Sequence, residues 1–178
     1  LRFTAPPASP AGDRRARTMP KILVVDDQRN MRTTLAIMLR GAGYEVEEAS
    51  DGAQGGEMGA RGAYDLVLTD LRMPGMDGIS VLRALQTAVN PPKVVVLTSY
   101  EQDEMIYQAI RSGAQGYVLK DTSEANLVAA ITSVYAGKRH IPAEIAARLA
   151  DRMMRDDLTP REIQTLELLA KGWTNKQI

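Results

Sequence analysis

Cysteine is absent from the sequence, which excludes both a disulfide framework and a thiolate metal site. No apolar run approaches the ~20 residues that span a bilayer, and the first residues lack the apolar core of a secretory signal. These absences point to a soluble chain with the cytoplasm as its default location and no membrane partner. Internal repeats are missing too. So is any net charge, since 22 basic residues balance 22 acidic ones.

What is present is ordinary globular material. Of 178 residues, 44% are hydrophobic and 25% charged, enough for one domain of usual size and a smaller piece. The charge is unevenly placed. Residues 1–18 carry four arginines against one aspartate, residues 19–137 carry ten basic groups against fifteen acidic ones, and residues 138–178 carry eight against six. The acidic middle is unlike a nucleic-acid surface, but it suits a hard cation.

Residues 1–18, LRFTAPPASPAGDRRART, are rich in Pro, Ala and Arg without periodicity. They are predicted to be a disordered extension, with Met19 a candidate natural start. From Lys21 the pattern becomes regular. KILVV, YEVEEA, DLVLT, KVVVLT and GYVLK are short, mostly β-branched and bounded by turn residues, which predicts five strands. Between them lie helical segments: Met31, Leu35, Met38 and Leu39 share one apolar face, and Leu127, Ala130, Ile131 and Val134 share another. Strands alternating with helices imply an α/β doubly wound parallel sheet covered on both faces, which accounts for ILVV and VVVL being apolar throughout. Sites in such sheets lie beyond the C-terminal ends of the strands.

After Gly137, KRHIPAEIAARLADRMMRDD reads as a linker carrying a helix from about Pro142. In LTPREIQTLELLAKGWTNKQI, Thr159, Pro160 and Glu162 suit an N-cap and the first and third helical positions, and Gly172 suits a helix stop. Thr174 and Gln177 repeat the same start signal for a second helix.

The strand ends carry the chemistry. Asp26 and Asp27 follow the first strand, Asp70 the third, Thr98 the fourth and Lys120 the fifth, and a parallel sheet brings all five to one edge. Three carboxylates together repel one another unless a cation sits among them. Mg²⁺ fits, because it takes oxygen ligands from one or two carboxylates and leaves positions for phosphate and water. Lys120 would meet phosphate as a point charge and Thr98 would donate a hydroxyl hydrogen bond. Each residue also has a plain structural role: Asp27 as a helix cap, Asp70 opening a turn with Pro74, Thr98 as a β-branched strand residue, Lys120 as a solvated strand end. Their joint placement at the strand ends of one sheet favours a site.

ILVVDDQ, DLVLTDLRMPGMDG, VVVLTSY and GAQGYVLKD resemble, in order and spacing, the successive motifs of bacterial response-regulator receiver domains. LTPREIQTLELLAKGWTNKQI resembles the opening of the LuxR-type helix-turn-helix, so the whole chain is similar to the NarL/FixJ subfamily. The resemblance implies a flavodoxin-like five-stranded receiver at 19–137, a linker at 138–157 and a partial DNA-binding module at 158–178. It implies Asp70 as phosphoacceptor, and Mg²⁺ held by Asp26, Asp27, Asp70 and the backbone carbonyl of Arg72. Lys120 would contact the phosphoryl group. Thr98 and Tyr117 would form the switch pair, with Thr98 moving toward the phosphoryl group and Tyr117 turning inward behind it. The implied partners are a sensor histidine kinase, DNA through a complete helix-turn-helix, and a second copy of the chain on phosphorylation.

Three further features take plain readings. His140, the single histidine, lies in the linker and is expected to be solvated, which argues against a histidine kinase. Trp173 is expected to pack in a small core, and Met73 and Met76 beside the Asp70 loop to be packing residues. The sequence stops within the first turn of the helix opening at Thr174, so a truncated regulator, competent in phosphotransfer but not in sequence-specific DNA binding, is the expectation. Two other readings stand beside it: a receiver acting through protein contacts alone, and a Mg²⁺-dependent phosphatase of the haloacid dehalogenase kind. The latter places its nucleophile in D-x-D-x-T after the first strand, where this chain has VVDDQRN.

Overall fold

The computed structural model describes residues 20–62, 64–99 and 103–147. The readings for residues 1–18, for the helix-turn-helix and for Trp173 lie outside the described residues.

Within them, strands and helices alternate: β1 (Lys21–Val25), α1 (Arg29–Gly41), β2 (Glu45–Ala49), α2 (Gly52–Arg61), β3 (Leu66–Asp70), α3 (Gly78–Gln86), β4 (Lys93–Thr98), α4 (Asp103–Arg111), β5 (Gly116–Leu119) and α5 (Glu124–Tyr135). All strand pairs are parallel, in the order β2-β1-β3-β4-β5. The pattern predicted all five strands, with ends shifted by a residue at most; Asp70 closes β3 instead of following it.

Burial explains the unbroken apolar runs. Ile22, Val24, Leu66, Leu68, Val95 and Leu97 pack with Leu35 and Leu39 of α1 and Leu127 and Ile131 of α5. Their neighbours Leu23, Val25, Val67, Val94 and Val96 point the other way, to Leu82 and Leu85 of α3 and Ile106 of α4. Both sheet faces are therefore dry, and each helix lies on one of them. Among the described residues, no helix is long and apolar enough to cross a membrane.

Helix α2, GAQGGEMGAR, breaks the usual rule that glycine weakens a helix. Gly52, Gly55, Gly56 and Gly59 are all buried. A Cβ on Gly55 would strike the Val25 side chain, one on Gly59 would strike Leu85, and one on Gly52 would strike the backbone carbonyl of Met76. The missing side chains let α2 lie directly against β1, α3 and the loop that follows Asp70. Met73 is buried in the core and Met76 packs against it, as expected of packing residues.

The linker departs from expectation. His140 is only partly exposed and its backbone forms a parallel bridge with Gly116. The physical reason is that β5 is an edge strand whose open N–H and C=O groups need partners, and the linker supplies them. Helical residues 143–147 follow, beginning where a helix from about Pro142 was predicted.

Candidate functional site

The sheet brings Asp26, Asp70, Thr98 and Lys120 together at the C-terminal edge. Asp26, directly after β1, is fully buried, and its Oδ1 accepts a hydrogen bond from the Gln28 N–H at 2.8 Å. The Arg32 guanidinium donates to the Asp26 carbonyl at 2.7 Å and lies 3.6 Å from Glu48, which ties the β1–α1 turn to β2. Asp27 is exposed. It does not cap α1, whose N-cap is Gln28 with no side-chain hydrogen bond, so the plain reading of Asp27 loses its support.

Asp70 is 5% exposed. Lys120 Nζ donates to its Oδ2 at 2.7 Å and stands 2.9 Å from Asp26 Oδ2. The second contact is an ion pair without hydrogen-bond alignment, and Asp26 Oδ2 accepts no hydrogen bond. Lys120 is itself anchored to β4 by its backbone N–H, which donates to the Thr98 carbonyl at 2.7 Å. Burial pushes the Asp70 carboxyl above the usual range; Lys120 pulls it down, Asp26 pushes it up and a backbone hydrogen bond from Arg72 lowers it, with a net rise. For Lys120, burial favours the neutral form, but the carboxylates of Asp70 and Asp26 beside it outweigh burial and raise its pKa. Its charge is therefore secure at neutral pH.

The carboxylates of Asp26, Asp27 and Asp70 each offer an oxygen within 4.8 Å of the others. One lysine cannot neutralise three carboxylates. Oxygen donors and excess negative charge fit a hard divalent cation.

Tyr117 is 1% exposed and lies in the buried cluster with Ile106, Ala109, Ala114 and Ile145. Thr98 is fully buried. The inward tyrosine position, expected to follow a movement of Thr98, is the one the chain already occupies. Composition and spacing did not reveal that Lys120 reaches two carboxylates, nor that Arg32 braces Asp26. The i to i+6 separation of Asp26 and Arg32 across the strand-to-helix turn was the only available signal for that brace.

A five-stranded parallel sheet with acidic groups and a lysine gathered at its carboxyl edge defines a response-regulator receiver, and the chain belongs to that family: residues 22–132 match the model described as response regulator receiver domain. Among individual proteins, it is 34% identical over 171 residues to the transcriptional regulatory protein LiaR of Bacillus subtilis strain 168, covering 90% of this chain and 81% of LiaR. A crystal structure of the response regulator ChrA, of a heme-sensing two-component system, matches with 35% identity and TM-score 0.63, covering 89% of this chain and 79% of ChrA. A LuxR-family two-component response regulator from Aurantimonas sp. SI85-9A1 matches with 28% identity and TM-score 0.69, covering 78% of this chain and all of its own (100%). The chain is thus a two-component response regulator whose relatives regulate transcription, and the haloacid dehalogenase reading gives way to it.

Proposed function

We propose that the chain accepts a phosphoryl group on Asp70 from a sensor histidine kinase and uses it to control transcription. The observation that carries this reading is the geometry at Asp70: a nearly buried carboxylate, a lysine 2.7 Å away and two further aspartates within 4.8 Å. Asp26, Asp27, Asp70 and the Arg72 carbonyl would hold Mg²⁺, which when bound supplies charge neutralisation for the transferring phosphoryl group. Asp70 attacks phosphorus as the bond to the histidine nitrogen breaks, the imidazole keeps that electron pair and takes up a proton, and Lys120 stabilises the equatorial oxygens. Such a site needs positioning more than general acid–base chemistry, so small phosphodonors should also serve, with the chain promoting its own labelling. It is a phosphoacceptor regulator, not an enzyme with a turnover substrate.

Residues 19–137 would be the receiver, 138–157 the linker and 158–178 part of the DNA-binding module, with 1–18 an N-terminal extension. Support for DNA as the final partner comes from the relatives' role in transcription.

The test is intact-mass spectrometry after incubation with a small phosphodonor and Mg²⁺. One added phosphoryl group, located on Asp70, is expected; labelling elsewhere overturns the assignment. Removing Mg²⁺ with a chelator should abolish the gain. Asp27→Ala should keep the acceptor but weaken metal affinity about 10- to 100-fold, measured as the Mg²⁺ concentration for half-maximal labelling. An unchanged midpoint would remove Asp27 from the metal set. Thr98→Ala should leave labelling measurable while uncoupling it from phosphate-induced self-association, read by sedimentation. Normal association in the labelled variant would count against the Thr98 relay.

A further inference from the structure

The start of the β5 edge is paired with the chain's own linker. The Tyr117 N–H donates to the His140 carbonyl at 2.8 Å, and the His140 N–H donates to the Gln115 carbonyl at 3.0 Å, so the linker bridges β5 at Gly116. Five residues on, Ile145 is 5% exposed and sits in the same buried cluster as Tyr117, with Ile141 packed against it. Between the linker at His140 and Pro142 and the wall formed by Tyr117, Leu119 and Asn126, a cleft of about 330 Å³ remains. The segment is thus held at two places, by backbone hydrogen bonds at His140 and by the burial of Ile145, with a surface cleft beside them.

We propose that residues 138–147 are a coupling strap, and that its docking on β5 and the inward position of Tyr117 stabilise each other. Both anchors involve Tyr117: its backbone N–H holds the linker, and its ring shares a dry cluster with Ile145. Lifting the strap would expose the β5 edge and open one side of the ring's packing. An outward ring, in turn, would remove part of the surface on which Ile145 is buried. Coupling of this kind is reciprocal. Its sign with respect to Asp70 rests on the function proposed above: if a phosphoryl group draws Thr98 toward it and favours inward Tyr117, phosphorylation tightens the strap. The segment following residue 147 would then be read out through a linker that phosphorylation holds down.

The experiment is hydrogen–deuterium exchange by mass spectrometry on the full 178-residue chain, first without phosphodonor. Ile145→Ala should speed exchange in the peptides containing Tyr117 and His140 by about tenfold or more, leave peptides from β1 and β3 unchanged, and be reversed by Ile145→Val. Unchanged exchange at Tyr117 in Ile145→Ala, with exchange raised at residues 138–147 alone, overturns the mutual stabilisation. Exchange raised in β1 and β3 as well would show that Ile145 is merely a core residue, which also overturns it. In the second arm, wild-type protein is treated with a small phosphodonor and Mg²⁺ and its mass gain is read in parallel. Slower exchange at residues 138–147 in the labelled protein is expected. Labelling with equal or faster exchange there overturns the sign of the coupling. Absence of any mass gain counts against the phosphoacceptor reading alone, because the first arm judges the strap without it.

Discussion

Asp70→Asn is expected to lose phosphoryl labelling completely and to gain stability at the same time. The first effect follows from replacing the proposed attacking carboxylate with an amide, which is a far weaker nucleophile and cannot form an acyl phosphate. The second follows from the raised pKa of Asp70, whose largest cause is burial. A carboxylate whose pKa is higher folded than unfolded costs stability when ionised. That cost is absent at acid pH, where both states are protonated. It grows as pH rises through the unfolded value, and is complete above the folded one. The amide removes it, while Lys120 retains Asp26 Oδ2 at 2.9 Å as a counter-ion. Without metal, Asn at position 70 should therefore stabilise the fold at neutral pH, with the difference shrinking as the pH falls. Denaturant titrations of both proteins at pH 7 and below pH 4 would measure it. Equal stability at pH 7 would show that Lys120 fully offsets the burial of the charge.

Gly78→Ala should damage both stability and phosphotransfer. Gly78 opens α3, and its N–H donates to the Leu71 carbonyl at 3.0 Å. In helix interiors alanine exceeds glycine by about 1 kcal/mol, so propensity alone favours the substitution. Sterics oppose it: a Cβ there would run into the Asp70 carbonyl oxygen and stand 2.9 Å from Leu71 Cα. Those are backbone atoms that cannot rotate aside, and strain of this kind costs about 1–3 kcal/mol or more. The collision wins. Its relief must push Asp70 away from Lys120, so the labelling rate should fall tenfold or more alongside a melting temperature lowered by several degrees. Wild-type values for both would mean that α3 can shift without moving Asp70.

The two effects share a cause that the sequence shows only in part. The strands were legible because a sheet buried on both faces demands residues like Ile22 to Val25 and Val94 to Leu97, apolar without alternation. Once five strands alternate with helices, topology alone carries Asp26, Asp70, Thr98 and Lys120 to one edge. What could not be read depends on distances between segments remote in sequence. Lys120 reaching two aspartates, Arg32 bracing a carbonyl six residues back, and His140 pairing with the β5 edge are products of packing, and no periodicity encodes them. The caps show the same boundary. Asp51, Asp77 and Ser123 each accept a hydrogen bond from the residue three positions on, a local pattern in the sequence, while Asp27 next to a helix start caps nothing.

The glycine-rich face of α2 has a consequence for the order in which the chain folds. A ten-residue helix with four buried glycines lies below the length at which isolated helices hold in water, and each glycine lowers its odds further. It has no means of nucleating on its own. Its surface for docking comes from β1, α3 and the Met76 turn, which must already be near their final places. Helix α2 should therefore consolidate after the rate-limiting barrier, while α1 and α5, with continuous apolar faces, form early against the central strands. Substitutions within α2 should then accelerate unfolding and leave the refolding rate almost untouched. The wall that supports the Asp70 loop would be the last part of the domain to close and the first to open.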